Sequence, residues 1–147
     1  MNISRKQYIE MAEKASPPSK KLKDFTLAFL IGGIICTIGQ LLREFYTSLG
    51  LPTEVVLSAV PISLIFMAAI LTGIGLFEKI AKHAGAGTLV PITGFANAVV
   101  SPAIEFKTEG WILGLGVKMF VIAGPVIVYG TVASVVYGLI YWIIGMI

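Results

Sequence analysis

The stretch that decides the fold is Phe25-Thr-Leu-Ala-Phe-Leu-Ile-Gly-Gly-Ile-Ile-Cys-Thr-Ile-Gly-Gln-Leu-Leu42, in which none of the 18 residues is charged. A helix of this length rises about 27 Å, which is close to the thickness of the hydrocarbon core of a bilayer. Lysines precede the stretch, and Gly50 and Pro52 follow it as helix-ending residues. We therefore predict a membrane-spanning helix that begins near Phe25 and continues to about Ser48.

The composition of the whole chain indicates the same class. Hydrophobic residues make up 56% of the 147 residues and charged residues only 13%, whereas a soluble domain carries about a quarter charged residues. A soluble protein of this size could not bury so much apolar surface, because small domains have a large surface for their volume. We predict an all-α integral membrane protein, with a cytoplasmic segment over residues 1–24 and one transmembrane domain over residues 25–147.

The positive charge of the chain is concentrated at its N-terminal end. Residues 1–24 hold six basic and three acidic side chains and so carry the whole formal net charge of +3. Basic residues beside a first membrane helix mark the cytoplasmic side of the membrane. We therefore expect the N-terminus in the cytoplasm, with membrane lipid and not nucleic acid as the partner of these charges.

A short helix is predicted ahead of the first span. Ser4 and Gln7 have the spacing of a capping box, in which each side chain accepts from the other residue's backbone N–H. Arg5–Ala15 then has a weakly apolar face at helical spacing, and Pro17 follows as a helix breaker. This amphipathic helix either lies at the cytoplasmic headgroups or docks a partner subunit.

A second apolar block, Val55–Phe77, predicts a second span with a kink at Pro61. Glu78 and Lys82 follow at a spacing of four residues, which is typical of an exposed pair on a helix surface. The second loop is then cytoplasmic if the first loop lies outside.

The last apolar block, Trp111–Ile147, contains one charged residue, Lys118. As one helix its 37 residues would rise about 55 Å, too long for a perpendicular span. Either Trp111–Lys118 lies at the interface or completes a re-entrant hairpin while Val121–Ile144 spans the membrane, or one tilted helix kinks near Pro125.

Between these blocks lies an irregular apolar segment, Leu89–Ile104. It has only 16 residues, is interrupted by Pro91, Gly94 and Pro102, and contains Asn97. Irregular backbone survives at membrane depth only where protein or a water-filled cavity satisfies its polar groups. We predict about four transmembrane segments, with this third one broken or re-entrant. Four full spans would place both termini in the cytoplasm, whereas a re-entrant loop would place the C-terminus outside.

Glycines and other small residues recur where helices are expected to bend or to pack. Gly85 and Gly87 predict a flexible entry into the broken segment, together with Pro91, Gly94 and Pro102 as its gating positions. Small residues at four-residue spacing let helix backbones approach closely. Two such stripes predict helix packing: Gly32 with Cys36, and Gly130 with Ser134 and Gly138.

Polar side chains near membrane depth are the candidates for a transport path, since such groups usually face an interior or a cavity. They are Gln40, Asn97, Glu105, Lys107, Glu109 and Lys118. Asn97 either bonds another helix or contacts a pore or ligand. The charges from residue 105 to 109 are either a solvated loop or a charged vestibule, and Lys118 either reaches the headgroups or joins that path.

Enzymatic chemistry has little support in the sequence. The chain has one His and one Cys, His83 and Cys36, and no cluster of His and Cys with metal-ligand spacing. We therefore expect neither catalytic residues nor a metal site nor a cofactor.

Several stretches resemble the stage V sporulation protein AC family, the SpoVA membrane proteins of spore-forming bacteria. They are Ala28-Phe-Leu-Ile-Gly-Gly-Ile-Ile-Cys-Thr-Ile-Gly-Gln40, Lys82-His-Ala-Gly-Ala-Gly-Thr-Leu-Val-Pro-Ile-Thr-Gly-Phe-Ala-Asn-Ala-Val-Val-Ser-Pro-Ala-Ile-Glu-Phe-Lys-Thr-Glu-Gly110, Gly114-Leu-Gly116 and Ile122-Ala-Gly-Pro-Val-Ile-Val-Tyr-Gly130. The sister AE-type subunits are similar in the central segment. The resemblance covers almost the whole chain from the first predicted helix onward.

The resemblance implies a subunit that moves dipicolinic acid, as its calcium chelate, across the spore inner membrane during sporulation and germination. It implies other SpoVA subunits as partners, with a homo-oligomer as the alternative, and a channel opened by membrane tension. On that basis Lys107 or Lys118 would meet the carboxylates of the cargo, whereas Glu105, Glu109 and Asn97 would offer oxygens to calcium. The competing interpretation is a non-conducting scaffold that assembles or gates a larger complex.

Overall fold

The computed structural model describes residues 4–15 and 21–146, and this part of the chain is helical without β-strands. Its elements, in chain order, are α1 Arg5–Ala15, α2 Lys21–Ser48, α3 Thr53–Gly73, α4 Leu76–Ala84, α5 Ala86–Leu89, α6 Ile92–Glu105, a 3₁₀ turn Lys107–Glu109, a π-helical turn Trp111–Gly116 and α7 Val117–Ile144.

Three helical segments of the described part are long and apolar enough to cross a membrane: Leu22–Ser48, Thr53–Gly73 and Trp111–Ile144. The prediction of an all-helical membrane protein is therefore confirmed. Helix α6 has 14 residues, which rise about 21 Å and fall short of the hydrocarbon core. The count of four spans stays a prediction.

Helix α1 has the bounds that the capping box predicts. The backbone N–H of Ser4 donates to Gln7 Oε1 at 3.0 Å, and the backbone N–H of Gln7 donates to Ser4 Oγ at 3.3 Å. These two bonds satisfy donors that the first turn of a helix leaves without an intrahelical partner. Pro17, the predicted terminator, lies outside the described residues.

Helices α2 and α3 form a hairpin across a short loop, in which Gly50 has a φ of 75°. The helices are joined by a hydrogen bond of 2.6 Å between Tyr46 Oη and Ser63 Oγ. Ser63 also donates to the backbone oxygen of Ala59 at 2.9 Å, one turn earlier in α3. The hairpin therefore carries its polar contact within the membrane part of the chain.

The prediction that the second span reaches Phe77 is wrong by one turn. Helix α3 ends at Gly73, and Gly75 turns the chain with a φ of 72°. Phe77 then lies in the first turn of α4 and is 3% exposed, packed with Ala68 and Ala96 in a small core. Glu78 and Lys82, predicted as an exposed pair on a helix surface, lie on the exposed face of α4, in the segment that was also predicted to form the second loop.

The structure contains the break that was predicted in the third apolar segment. Helix α5 ends at Leu89, and α6 starts at Ile92 after the extended backbone of Pro91, whose ψ is 165°. Helix α5 packs on α2, whereas α6 packs between α3 and α7. The broken segment therefore passes from α2, on which α5 packs, to α3, on which α6 packs.

The contact between α5 and α2 requires glycine. A Cβ atom on Gly87 would overlap the backbone of Ala28, and a Cβ on Gly32 would lie 3.4 Å from the Cα of Gly87. A Cβ on Gly94 would likewise meet the backbone oxygens of Thr88 and Leu89 at 2.5 Å. These glycines let the broken segment lie against backbone instead of side chains.

We predict that Gly87→Ala destabilises the protein by about 1–3 kcal/mol, because the new methyl group forces α5 away from α2. Unfolding of the purified protein in lipid bicelles by a denaturing detergent measures this change. Gly33→Ala is the matched control, since a Cβ on Gly33 meets nothing within 4 Å. Equal stability of the two variants would contradict the assigned contact.

Candidate functional site

Asn97, the polar residue of the broken segment, lies in a contact between α6 and α3. The Thr72 hydroxyl lies 3.0 Å from Asn97 Oδ1 and 2.7 Å from the backbone oxygen of Ala68. A hydroxyl has one proton to donate, so these two acceptors share or alternate it. Of the two interpretations that the sequence left open, the helix–helix hydrogen bond is the one present in the described part of the chain.

Thr72 was missed by the sequence analysis. A threonine in the last turn of an apolar helix has an ordinary local explanation, because its hydroxyl bonds the carbonyl four residues earlier. Five other Ser and Thr side chains do only that, for example Thr37 toward Gly33 and Ser134 toward Gly130. Only the packing of α6 on α3 distinguishes Thr72 from them.

Four charged residues lie between the last turn of α6 and the first turn of α7, and we call this segment the charged turn: Glu105, Lys107, Glu109 and Lys118. The first three are exposed, and Lys118 is half-buried with its Nζ 4.5 Å from the centroid of the Phe106 ring. Gly114 is buried, and a Cβ there would overlap Phe106 and Glu109. The turn therefore brings two cations and two carboxylates to one end of the α6–α7 pair.

The charged turn and Asn97 form separate sites in one chain. Asn97 precedes Glu105 by eight residues of α6, a rise of about 12 Å. No group of three or more His, Cys, Asp or Glu side chains within residues 4–15 and 21–146 is placed to hold a metal ion. The rise along α6 separates Asn97 from Glu105 too far for both side chains to bind one calcium ion within a chain.

Gln40 lies on a polar face of α2 that points away from the rest of the chain. Its Nε2 donates to Glu44 Oε1 at 2.6 Å, and both side chains are exposed. Thr37, one turn earlier, is also exposed and bonds only the backbone of Gly33. We call Thr37, Gln40 and Glu44 the outer polar face of α2. Gln40 lies about 22 Å along the helix from Phe25, within a hydrocarbon core about 30 Å thick.

The two predicted packing stripes have different surroundings. Gly32 contacts Gly87 inside the chain, whereas Cys36 is exposed. Gly130, Ser134 and Gly138 are exposed, and a Cβ at either glycine would meet nothing within 4 Å. Among the described residues, the stripe on α7 therefore packs against no other helix.

We predict that Thr72 and Asn97 are coupled energetically. In a double-mutant cycle of Thr72→Val and Asn97→Leu, the coupling should be about 0.6 kcal/mol and at most about 1.7 kcal/mol, as for other hydrogen bonds between membrane helices. Unfolding free energies in bicelles give the value. A parallel cycle with Thr37→Val in place of Thr72→Val should be additive, and coupling of equal size in both cycles would contradict the assignment.

Comparison with known proteins finds related sequences but no related solved structure. The family model described as SpoVAC/SpoVAEB sporulation membrane protein matches residues 24–140. The chain is 39% identical to Stage V sporulation protein AC of Bacillus subtilis (strain 168) over 148 aligned residues, which cover 95% of this chain and 94% of that protein. No solved structure matches. The family-model match begins within α2 and ends within α7, and so includes the broken segment and the charged turn. The chain belongs to the SpoVAC/SpoVAEB family of sporulation membrane proteins.

Proposed function

We propose that this sporulation membrane protein is a subunit of a channel that moves dipicolinic acid, as its calcium chelate, across the spore inner membrane during sporulation and germination. The observation that carries the proposal is the outer polar face of α2. Polar side chains directed away from their own chain at membrane depth need water or another protein beside them. Membership in the family of sporulation membrane proteins supports the spore as the place where this channel acts.

The cost of polar groups in lipid decides how the outer polar face is covered. Polar side chains in the hydrocarbon core are costly, and Gln40 lies within the core. Glu44, one helical turn beyond Gln40, lies about 28 Å along α2 from Phe25, near the far edge of the core. Packing several copies of α2, or α2 with sister SpoVA subunits, around a shared aqueous path removes this cost. The path is therefore between chains, with this protein in a homo-oligomer or in a complex of several SpoVA subunits.

The charged turn suits the entrance of such a path. Dipicolinate carries two carboxylates, which Lys107 and Lys118 attract, while Glu105 and Glu109 attract the calcium ion. Repetition of the charged turn around an assembly increases the number of both cations and carboxylates at the entrance.

Asn97, bonded to Thr72 through its oxygen, retains an amide group whose N–H bonds have no partner in the described part of the chain.

The spore inner membrane, with the N-terminus in the cytoplasm, is the proposed location. The basic side chains ahead of α2 support this orientation through their attraction to the cytoplasmic face.

Opening of the channel by membrane tension is part of the proposal. Helix α7 packs chiefly on α6 and is exposed along most of its length, so a change in lateral pressure acts on it directly.

A non-conducting scaffold is the second candidate function, and the outward stripe of Gly130, Ser134 and Gly138 supports assembly in either case. Small residues on an uncovered helix face allow close packing by another membrane helix.

A transport role is preferred to an enzymatic one, since His83 and Cys36 lie on different helices, α4 and α2.

We predict that liposomes containing this protein release dipicolinate after an osmotic downshock, and that Gln40→Leu lowers the rate roughly tenfold. A tenfold loss corresponds to about 1.4 kcal/mol, the scale of one hydrogen bond to the passing solute. Leu41→Val, at the next exposed position, is the matched control and should conduct like the wild type. Folded wild-type protein that releases nothing at any tension would favour the scaffold.

We also predict that the charged turn sets the balance between anion and cation flux. Replacing both Lys107 and Lys118 by Gln should lower dipicolinate flux relative to calcium flux, and replacing Glu105 and Glu109 by Gln should do the reverse. Each effect should weaken as salt rises, because the side chains are largely exposed. Parallel efflux assays with a calcium dye and dipicolinate absorbance measure the ratio. Unchanged ratios in both variants would place the path elsewhere.

A further inference from the structure

A cavity of about 320 Å³ lies between α2 and α3. Its walls are isoleucines of α2 from Ile31 to Ile38 and apolar residues of α3 from Leu64 to Leu71. Phe77, Thr88 and Thr93 close the end where α5 lies against Ala28 and Gly32 of α2. Helix α2 thus turns its isoleucines to the cavity and its outer polar face in the opposite direction.

Both walls of the cavity lie inside segments that are long and apolar enough to cross the membrane. The rim is open to the outside of the chain, since Ile34 is 58% exposed and Ile80 is 40% exposed. At this depth the surrounding medium is the hydrocarbon of the bilayer. The cavity is therefore a recess in the lipid-facing surface.

The lining chemistry excludes water and charged solutes as occupants. No lining residue is charged, and the two polar ones, Thr88 and Thr93, are buried. An apolar cavity of about 150 Å³ stays dry and binds benzene. The volume here is about twice as large, so by the same comparison it holds roughly a dozen carbon atoms. The dicarboxylate cargo proposed above does not fit this lining.

The buried end of the cavity carries an unsatisfied polar group. Thr88 Oγ1 donates to the backbone oxygen of Gly85 at 3.1 Å, whereas Thr93 Oγ1 has no hydrogen-bond partner among the described residues. Thr93 is 7% exposed, so the missing bond costs free energy. Thr93 lines the cavity, and another staggered χ1 rotamer can present its hydroxyl to an acceptor there.

We propose that this cavity binds one acyl chain of a membrane phospholipid, with the ester end near Thr93 and the methyl end toward Ile38 and Leu64. Ile31 and Ile38 are seven residues apart, a rise of about 10 Å. They lie about 9 Å and about 20 Å along α2 from Phe25, so the methyl end of the acyl chain passes the middle of a core about 30 Å thick. The ester carbonyl is the acceptor for the Thr93 hydroxyl. The proposal does not depend on the transport function.

The test is native mass spectrometry of the full chain, extracted in a mild detergent and washed until annular lipid is removed. The wild type should retain one phospholipid per chain. Met67→Trp fills the cavity and should lower the retained phospholipid roughly tenfold, which corresponds to about 1.4 kcal/mol of lost burial. Ile62→Trp is the matched control, since Ile62 lies on α3, is 64% exposed and does not line the cavity.

A second measurement guards against misfolding of Met67→Trp. Wild-type protein in nanodiscs is irradiated with a phospholipid that carries a diazirine on its acyl chain, and adducts should concentrate on the peptides that contain Ile31–Ile38 and Leu64–Leu71. Adducts spread evenly over the exposed face of α7 as well, or no lipid retained by the wild type, would overturn the proposal. Retention of a free fatty acid instead of a phospholipid would overturn the assigned ligand.

Thr93→Val tests the orientation of the lipid. Valine has the same shape without the hydroxyl, so loss of the hydrogen bond to the ester should weaken retention about three- to tenfold, as for a hydrogen bond of roughly 0.5–1.5 kcal/mol. Retention equal to that of the wild type would overturn the placement of the ester at Thr93.

Discussion

The structure depends on the need of every backbone N–H and C=O group in the hydrocarbon core to find a partner within the protein. Long helices meet this need for α2, α3 and α7, because their backbone groups pair internally. The broken segment meets it differently. Local hydrogen bonds pair the backbone on both sides of the break, from Val90 N–H to the oxygen of Ala86 at 3.0 Å and from Gly94 N–H to the oxygen of Pro91 at 2.9 Å. Gly87 and Gly94 let this break pack closely against the backbone of Ala28 and against the preceding turn at Thr88 and Leu89.

Polar side chains fall into two groups under the same constraint. One group is satisfied within the chain: Tyr46 with Ser63 joins α2 to α3, and Thr72 with Asn97 joins α3 to α6. The other group, Gln40 and Glu44, bonds only along one helix and points outward. The first group holds the fold together without a large hydrophobic core, because lipid offers apolar side chains no less favourable a medium than protein does.

The two faces of α2 connect the two proposals. Its isoleucines border the apolar cavity, and its outer polar face is directed the opposite way. A lipid chain in the cavity and a neighbouring subunit on the polar face would therefore act on the same helix from opposite sides. Helix α7 has fewer constraints, since it packs chiefly on α6 and Ala123 is its one buried residue within the described part.

The sequence by itself determined the class of protein and some helix ends, among them both ends of α1 and the C-terminal end of α2. Apolar runs without charge specify helices in lipid, and local signals such as the Ser4–Gln7 capping box and Gly50 act over a few residues. The predicted end of the second span was too late because Phe77 belongs to the same apolar run as α3. In the structure α3 ends at Gly73, and Phe77 lies in α4 and packs on Ala68 and Ala96. Only the tertiary structure decided the partner of Asn97, the role of Gly87 and the apolar cavity. Each depends on two segments far apart in sequence, which no local pattern brings together.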